Sequence, residues 1–115
     1  MGAPKELQSK VGLAALDRLR KAVAGHPDVV EAVDKFGHTS FRVKDKPFVM
    51  MGEGKNGPGM SIKVGKEIQA VLLKRPDFFK TAYIGQHGWV SLAKLPPKDW
   101  GEILELVQLA YSARK

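Results

Sequence analysis

The side chains best suited to ligand binding are basic residues that alternate with apolar ones along predicted strands. Residues two apart in a strand point to the same side of a sheet. If the apolar residues of these strands face the helices, the opposite face of the sheet carries the residues that alternate with them. The apolar residues are Phe41, Val43, Met60, Ile62, Val90 and Leu92, and the opposite face then carries Arg42, Lys44, Lys63, Trp89 and Ser91. Lysine and arginine neutralise phosphates and an exposed tryptophan stacks on a base, which is typical of nucleic-acid binding. The alternative is that Trp89 is half buried against a loop and the basic side chains are only solvated.

Positive charge is concentrated in the same part of the chain. The 115 residues have a net charge of +7. Residues 41–80 carry nine Lys or Arg against four Asp or Glu, a net +5, whereas residues 1–40 (six against five) and 81–115 (four against three) each carry +1. A surplus gathered in one segment attracts anions. With two further basic side chains included, the candidate nucleic-acid-binding residues are Arg42, Lys44, Lys46, Lys63, His87 and Trp89.

The segment from Gly52 to Gly57 matches the glycine pattern of dinucleotide-binding loops. That pattern binds phosphate when a helix follows directly, because the phosphate contacts amide groups at the helix N-terminus. Here Pro58 and Gly59 lead into a predicted strand, and the ending of a Walker loop is missing. We therefore expect a mobile hairpin loop over GEGKNGPG and no nucleotide cofactor.

Other reactive groups do not form a recognisable catalytic set. The histidines, His26, His38 and His87, lack the spacing of a metal site and have no nucleophile or carboxylate at a characteristic distance. Turn roles suit His38 and His87, and a protonated His87 can also contact phosphate. The chain has no cysteine, which excludes disulfides, thiolate chemistry and zinc–thiolate sites. We expect a non-enzymatic protein with no catalytic residues, metal or cofactor.

Hydrophobic periodicity predicts the elements that position these residues. A first helix ends at Gly25 and Pro27, and its apolar stripe comprises Leu7, Val11, Ala15, Leu19, Ala22 and Val23. Strands are predicted over residues 29–35, 39–43, 47–51 and 60–64, with tight turns between them. A second helix over residues 65–74 buries Ile68, Val71 and Leu72, and a strand over 89–93 follows.

A third helix begins at Asp99, which caps it while Glu102 reaches back as in a capping box. Its apolar stripe runs from Trp100 to Tyr111, and Leu106, Leu109 and Ala113 widen it enough to cover more of the sheet or to serve a dimer. The order of elements is thus α, three to four β, α, β, α. It predicts an α+β two-layer sandwich, an antiparallel sheet with helices on one face. The predicted buried residues are Phe41, Ile62, Ile68, Leu72, Trp100, Leu104 and Val107.

Four segments, taken together, resemble the MmcQ/YjbR family: FGHTSFRVKDKPFVMM, MSIKV before a helix, YIGQHGWVSL and DWGEILELVQLAYS. The similarity extends over about residues 25–114. It implies a small α/β domain with a topology like that of secretion chaperones, and a proposed double-wing DNA-binding role. The family's Tyr and Trp correspond to Tyr83 and Trp89, and its two strand motifs to Phe41-Arg42-Val43 and Ile62-Lys63-Val64. The turn before Trp89 is Gln86-His87-Gly88, which is less basic than the Lys-Arg or Asn-Lys of many members.

Length and composition limit the remaining possibilities. A chain of 115 residues with 43% hydrophobic residues suits one domain with one core, here taken as residues 1–115. Its start, MGAPKELQSK, lacks the apolar core of a signal peptide, and no apolar run reaches the length of a membrane span, so we expect a cytoplasmic protein that does not bind membranes. Two functions from different classes remain open. One is nucleic-acid binding, with DNA favoured, and the other is a protein-interaction or chaperone-like adaptor module, in which a protein partner or homodimer is used.

Overall fold

The computed structural model describes residues 6–115, which form three α-helices, six β-strands and one short 3₁₀ helix. The helices are α1 (Lys10–Val23), α2 (Lys66–Leu72) and α3 (Trp100–Arg114). The strands are β1 (Val29–Val33), β2 (Thr39–Val43), β3 (Lys46–Gly54), β4 (Gly57–Lys63), β5 (Phe78–Lys80) and β6 (Trp89–Leu92), and the 3₁₀ helix spans Gly85–His87.

The six strands form one antiparallel sheet in the order β1-β2-β3-β4-β6-β5. The predicted α+β class with an antiparallel sheet is confirmed. Strand β5 was not predicted, because three residues after Pro76 are too few to show an alternating pattern. Its residue Phe78 is nevertheless buried and belongs to the core. The sheet therefore extends one strand beyond β6.

Apolar residues from all three helices pack with one face of the sheet in a single cluster. A row of cross-strand partners, Phe41, Val49, Ile62 and Val90, lies at its centre, and each member is almost wholly shielded from solvent. Opposite these lie Leu19 of α1, Leu72 of α2, and a buried side of α3 formed by Ile103, Leu106, Val107, Ala110 and Tyr111. Of the seven predicted core residues, Phe41, Ile62, Leu72 and Val107 are buried, and Ile68, Trp100 and Leu104 are partly buried against them.

A β-bulge in β3 adds one more large side chain to this core. The pairing of β2 with β3 passes from Phe41 opposite Val49 to Arg42 opposite Pro47, so Phe48 is an extra residue. A bulge lets two successive residues share a face. Both Phe48 and Val49 are fully buried, and the Phe48 ring packs edge-on against Tyr111 with ring centroids 5.8 Å apart.

Helix α1 begins later than its apolar stripe predicted. Ser9 caps it by accepting a hydrogen bond from the Gly12 amide, and Glu53 on β3 accepts from the amides of Gln8 and Ser9. These bonds satisfy donors that a helix start leaves open. The buried side is consequently Gly12, Ala15, Leu16 and Leu19, whereas Val11 and Ala22 of the predicted stripe are exposed.

The glycine-rich segment is part of a β-hairpin, and the predicted loop over GEGKNGPG is wrong. Strand β3 continues to Gly54 and β4 begins at Gly57, so only Lys55 and Asn56 form the turn. Glycine is a weak strand former, which is why the pattern indicated a loop. Paired backbone on both sides replaces the helix N-terminus that a dinucleotide loop requires.

Two helix details differ from the prediction because tertiary contacts override the local pattern. In α2, Val71 is exposed and Gln69 is buried in its place, where its amide donates to the carbonyl oxygens of Gly85 and Trp89. In α3, Asp99 does cap the helix, accepting from the Glu102 amide. The Glu102 carboxylate instead accepts hydrogen bonds from Arg75, so the capping box is only half formed.

Gly88 is required at the start of β6, because its backbone has a φ of +89° and touches another glycine. A Cβ at this position would lie 2.8 Å from the Gly65 Cα atom. We expect Gly88→Ala to lower the free energy of unfolding by about 2–4 kcal/mol, from the left-handed backbone and the clash together. Urea denaturation measures this change.

The matched control is Gly25→Ala, where an added Cβ would meet nothing within 4 Å. It should change the free energy of unfolding by less than about 0.5 kcal/mol. Equal stability of the Gly88→Ala and Gly25→Ala proteins would contradict the close contact described above.

Candidate nucleic-acid interface

The sheet face opposite the helices is organised in cross-strand rows. One row crosses all six strands and consists of Ala32, Ser40, Met50, Ser61, Ser91 and Phe79. The neighbouring row contains Val30, Arg42 and Pro47, and further along the sheet the paired residues Lys63 and Trp89. The predicted apolar side is confirmed, since Phe41, Val43, Met60, Ile62, Val90 and Leu92 are all buried. Strand alternation thus assigns Arg42, Lys63, Trp89 and Ser91 to the outer face.

Trp89 is not an exposed stacking platform, and the prediction of an exposed aromatic there is wrong. Only 3% of its surface is accessible. Its strand is internal to the sheet, between β4 and β5, and its cross-strand neighbour Lys63 extends to the nearby carbonyl of His87. Alternation identifies the face of a side chain, but it does not reveal which other parts of the chain lie on that face.

Lys63 has the most perturbed surroundings of the predicted basic residues. Its ammonium group donates a 2.6 Å hydrogen bond to the carbonyl oxygen of His87. Partial burial lowers its pKa, and the positive charges of Arg114 and Lys66 lower it further. Both causes disfavour an added proton, because burial removes hydration and like charges repel. Lys63 is therefore close enough to Arg114 and to Lys66 to be repelled by each of them.

Lys66 and Arg114 are the two functional candidates that sequence reasoning missed. Arg114 lies in the last turn of α3, donates to the carbonyl oxygen of Pro47, and has its own pKa lowered by burial. Lys66 begins α2 and is exposed. The sequence does show that both are basic residues at the end of a predicted helix. Their approach to Lys63 depends on how the helices dock, which the sequence pattern does not give.

The turn between β2 and β3 adds two more lysines at this place. Lys44 and Asp45 have φ of 52° and 63°, as in the two-residue turns that join twisted hairpin strands. The Lys44 ammonium donates to the carbonyl oxygen of Lys115, just after α3, and Lys46 is exposed beside Pro47. We call this surface the basic end, defined as Lys44, Lys46, Lys63, Lys66 and Arg114.

Arg42 lies on the same face but is largely engaged within the fold. Its guanidinium donates to the carbonyl oxygen of Asp45 at 2.9 Å and approaches the Asp45 carboxylate at 3.5 Å. A further contact of 3.4 Å reaches the Ser40 hydroxyl. A paired arginine offers less charge to an external anion, so Arg42 is a weaker candidate than Lys63.

His87 contributes to the site through its main-chain carbonyl oxygen, which accepts a hydrogen bond from Lys63. It lies exposed in the 3₁₀ helix, whose start is held by the buried Gln69 amide donating to Gly85 at 2.7 Å. The His87 carbonyl accepts from Lys63, and the next carbonyl, that of Gly88, accepts from the amides of Val64 and Gly65. These bonds fix the segment before Trp89 against the end of β4.

The ion pairs within residues 6–115 do not include the residues of the basic end, although Asp45, which pairs with Arg42, lies in the same turn as Lys44 and Lys46. They join Arg20 to Glu31, Lys21 to Asp17, His38 to Asp34, Arg42 to Asp45, and Arg75 to both Asp77 and Glu102. Within the same range, none of the five residues of the basic end pairs with an Asp or Glu side chain, and Lys44, Lys63 and Arg114 instead donate to main-chain oxygens. In the same described range, no group of three or more His, Asp or Glu side chains is placed to hold a metal ion.

The architecture and the sequence agree with one family model. The model named YjbR matches residues 24–113, which is most of the chain. The chain belongs to the YjbR family. Its membership covers every strand and α2, and nearly all of α3, so the sheet face described above is a feature of the YjbR region itself. A comparison with curated proteins found no significant match.

A solved structure of a protein from Pseudomonas syringae, a structural genomics target, is similar to this YjbR chain. The two share 19% sequence identity with a TM-score of 0.66, over 86% of this chain and 97% of the other. At this identity the likeness concerns the fold alone. Within residues 6–115, none of the helices is long and apolar enough to cross a membrane.

Mutual repulsion at the basic end predicts a measurable change in ionisation. We expect Arg114→Gln to raise the pKa of Lys63, because it removes a nearby positive charge that disfavours protonation. Lys66→Gln should raise it as well. A titration of the lysine side-chain ¹³Cε resonances by NMR follows this pKa directly.

Lys55→Gln is the control, since Lys55 lies in the β3–β4 turn at the opposite end of β4. It should leave the pKa of Lys63 unchanged. A Lys63 pKa that stays constant in the Arg114→Gln protein would show that the three charges are not coupled.

Proposed function

We propose that this YjbR protein is a non-enzymatic nucleic-acid-binding protein, with DNA as the favoured target, and that the basic end contacts the phosphate backbone. The observation that carries the proposal is the clustering of Lys63, Lys66 and Arg114. Burial and then the two neighbouring charges lower the pKa of Lys63, and none of the three pairs with an Asp or Glu side chain within residues 6–115. A fold holds like charges together at a cost, and a polyanion removes that cost when it binds.

The charge distribution supports an extended anion in preference to a small one. The basic end draws on β4, the β2–β3 turn, the start of α2 and the end of α3, so its charges are spread over a surface. A phosphate backbone presents repeated charges at regular spacing, and each neutralised phosphate releases counterions. Flexible lysines contact phosphates as point charges without reading base edges. Weak binding with little sequence preference follows.

The revised surface differs from the one read off the sequence. Lys44, Lys46 and Lys63 stay in the proposal, Lys66 and Arg114 join it, and His87 supports Lys63 through its carbonyl oxygen. Arg42 has a minor role because Asp45 engages it. Trp89 is proposed as a structural residue, since burial prevents it from stacking on a base.

A protein-interaction module is the second candidate, and the β1 edge is the observation that favours it. Strand β1 has a neighbour on one side only. At least half of the surface of Val30 and of Val33 is exposed, and Phe36 is exposed in the next turn. Unpaired edges with apolar side chains are suited to strand addition by a partner. Apolar docking of that kind would be insensitive to salt, whereas phosphate binding weakens steeply with it.

The decisive comparison uses two triple variants with the same loss of charge. We expect Lys63→Gln, Lys66→Gln and Arg114→Gln together to weaken binding of a labelled oligonucleotide and to reduce the salt slope by about one unit per lost contact. Fluorescence anisotropy at low and moderate salt measures both quantities. Circular dichroism should show that the variant stays folded.

The matched control combines Lys55→Gln, Lys94→Gln and Lys98→Gln, which lie outside the basic end. It should retain the wild-type salt slope. Failure of the wild type to bind at low salt, or equal weakening by the two triple variants, would end the proposal and favour the protein-interaction candidate.

A further inference from the structure

The outer sheet face holds a depression that extends from the Ser61–Ser91 pair toward the β3–β4 hairpin. It has a volume of about 530 Å³ and is open to solvent on one side. The row of residues that crosses the sheet supplies its base, and the segment between β5 and β6 supplies a wall. The residues that matter for its chemistry are Met50, Ser61, Phe79, Thr81, Tyr83 and Ser91. Its volume falls within the range of small-ligand sites.

Small side chains between large ones create the depression. Ser61 and Ser91 are cross-strand partners, and in the same row they are flanked by Met50 on β3 and Phe79 on β5. Neighbouring strands lie about 5 Å apart, so Met50 and Phe79 stand three strand spacings, or about 15 Å, from each other with the two serines between them. A flat group fits over the two serines with one face against the side chain of Met50 or of Phe79.

Three hydroxyl groups form a chain on the floor. Ser61 and Ser91 lie 2.8 Å apart, oxygen to oxygen, and Thr81 lies 2.9 Å from Ser91. A hydroxyl both donates and accepts, and rotation about its C–O bond reverses the direction of such a chain. The floor therefore offers either a donor or an acceptor to a polar edge, which suits a neutral heterocycle of any identity.

Tyr83 lines the depression and is an exposed aromatic side chain. Its side chain is almost fully exposed, at 94%, and its backbone has a φ of +66°, which is uncommon for a bulky residue. Phe79, on the neighbouring strand, is 52% exposed. Two exposed aromatics beside one cavity are available for stacking, in place of the buried Trp89.

The Glu53 and His38 side chains that line the depression are both engaged within the fold, His38 by the Asp34 carboxylate at 3.5 Å. Within its lining, the carboxylate is that of Glu53, which already accepts hydrogen bonds from two amides and the hydroxyl at the start of α1. These contacts are the main reason that its pKa is lowered. Phosphate-binding charge lies instead at Lys63, two residues from Ser61 on the same strand and the same face.

We propose that the depression holds one unstacked nucleobase of a single strand whose phosphates lie on the basic end. The inference rests on the proposed function. Two strand residues span about 6.6 Å, so a strand that contacts Lys63 reaches Ser61 and Ser91 within about one nucleotide. The depression, with Phe79 and Tyr83 in its lining, takes the base, and the cations that begin at Lys63 take the phosphates. Single strands bind more tightly than duplexes because only their bases are free to enter.

A comparison of two single-stranded probes separates the contribution of the bases to binding affinity from that of the phosphate backbone. One is a labelled oligothymidylate, and the other is an abasic oligomer of the same length and charge. The wild type should bind oligothymidylate about tenfold more tightly than the abasic oligomer. Tyr83→Ala with Phe79→Ala should remove that difference and leave affinity for the abasic oligomer unchanged.

Phe36→Ala is the matched control, because Phe36 is an exposed aromatic, at 61%, and does not line the depression. It should retain the preference for oligothymidylate. Equal wild-type affinity for both probes, or a preference that survives in the Tyr83→Ala/Phe79→Ala protein, overturns the base pocket and leaves the proposed function standing. Absence of binding to either probe at low salt overturns both.

Discussion

The pairing of β4 with β6 is the contact on which the rest of the molecule depends. It joins strands β1 to β4 to the β5–β6 pair through three cross-strand pairs, and each pair has a different consequence. Ile62 with Val90 forms the middle of the core, Ser61 with Ser91 forms the floor of the depression, and Lys63 with Trp89 begins the basic end. Because side chains alternate between faces, a shift by one residue would exchange the core with the outer face. The close backbone contact of Gly88 with Gly65 fixes this register at its end.

Electrostatics at the basic end follows from the same geometry. The docking of α2 and α3 brings Lys66 and Arg114 toward Lys63, whose pKa is lowered by burial and then by these charges. The acidic residues that balance other arginines are used elsewhere, above all Asp77 and Glu102 at Arg75. The Arg75 guanidinium ties the end of α2 to the start of α3, and both carboxylates raise its pKa. Arg75 is thus a structural cation, whereas the basic end has no Asp or Glu partner within residues 6–115.

The sequence was sufficient for the fold class, five of the six strands, the three helices and the apolar side of the sheet, because these depend on local periodicity. It failed where tertiary contacts decide. Gln69 replaces Val71 inside since two backbone carbonyls need its amide, and Glu102 leaves the capping box for Arg75. For the site, alternation assigned Lys63 and Trp89 to the correct face, yet could not show that Trp89 is covered. The position of Arg114 beside Lys63 depends on helix docking and has no counterpart in the pattern of the sequence.

The central claim is that the basic end contacts a phosphate backbone, and chemical-shift mapping of the ¹⁵N-labelled protein tests it most directly. Titration with a short oligonucleotide at low salt should move the backbone amides of Lys63, Lys66, His87 and Arg114, in a manner that added salt reverses. The amides of Lys55 and Lys98, outside the basic end, should not move. Shifts confined to β1, or shifts spread equally over both ends of the sheet, would contradict the account.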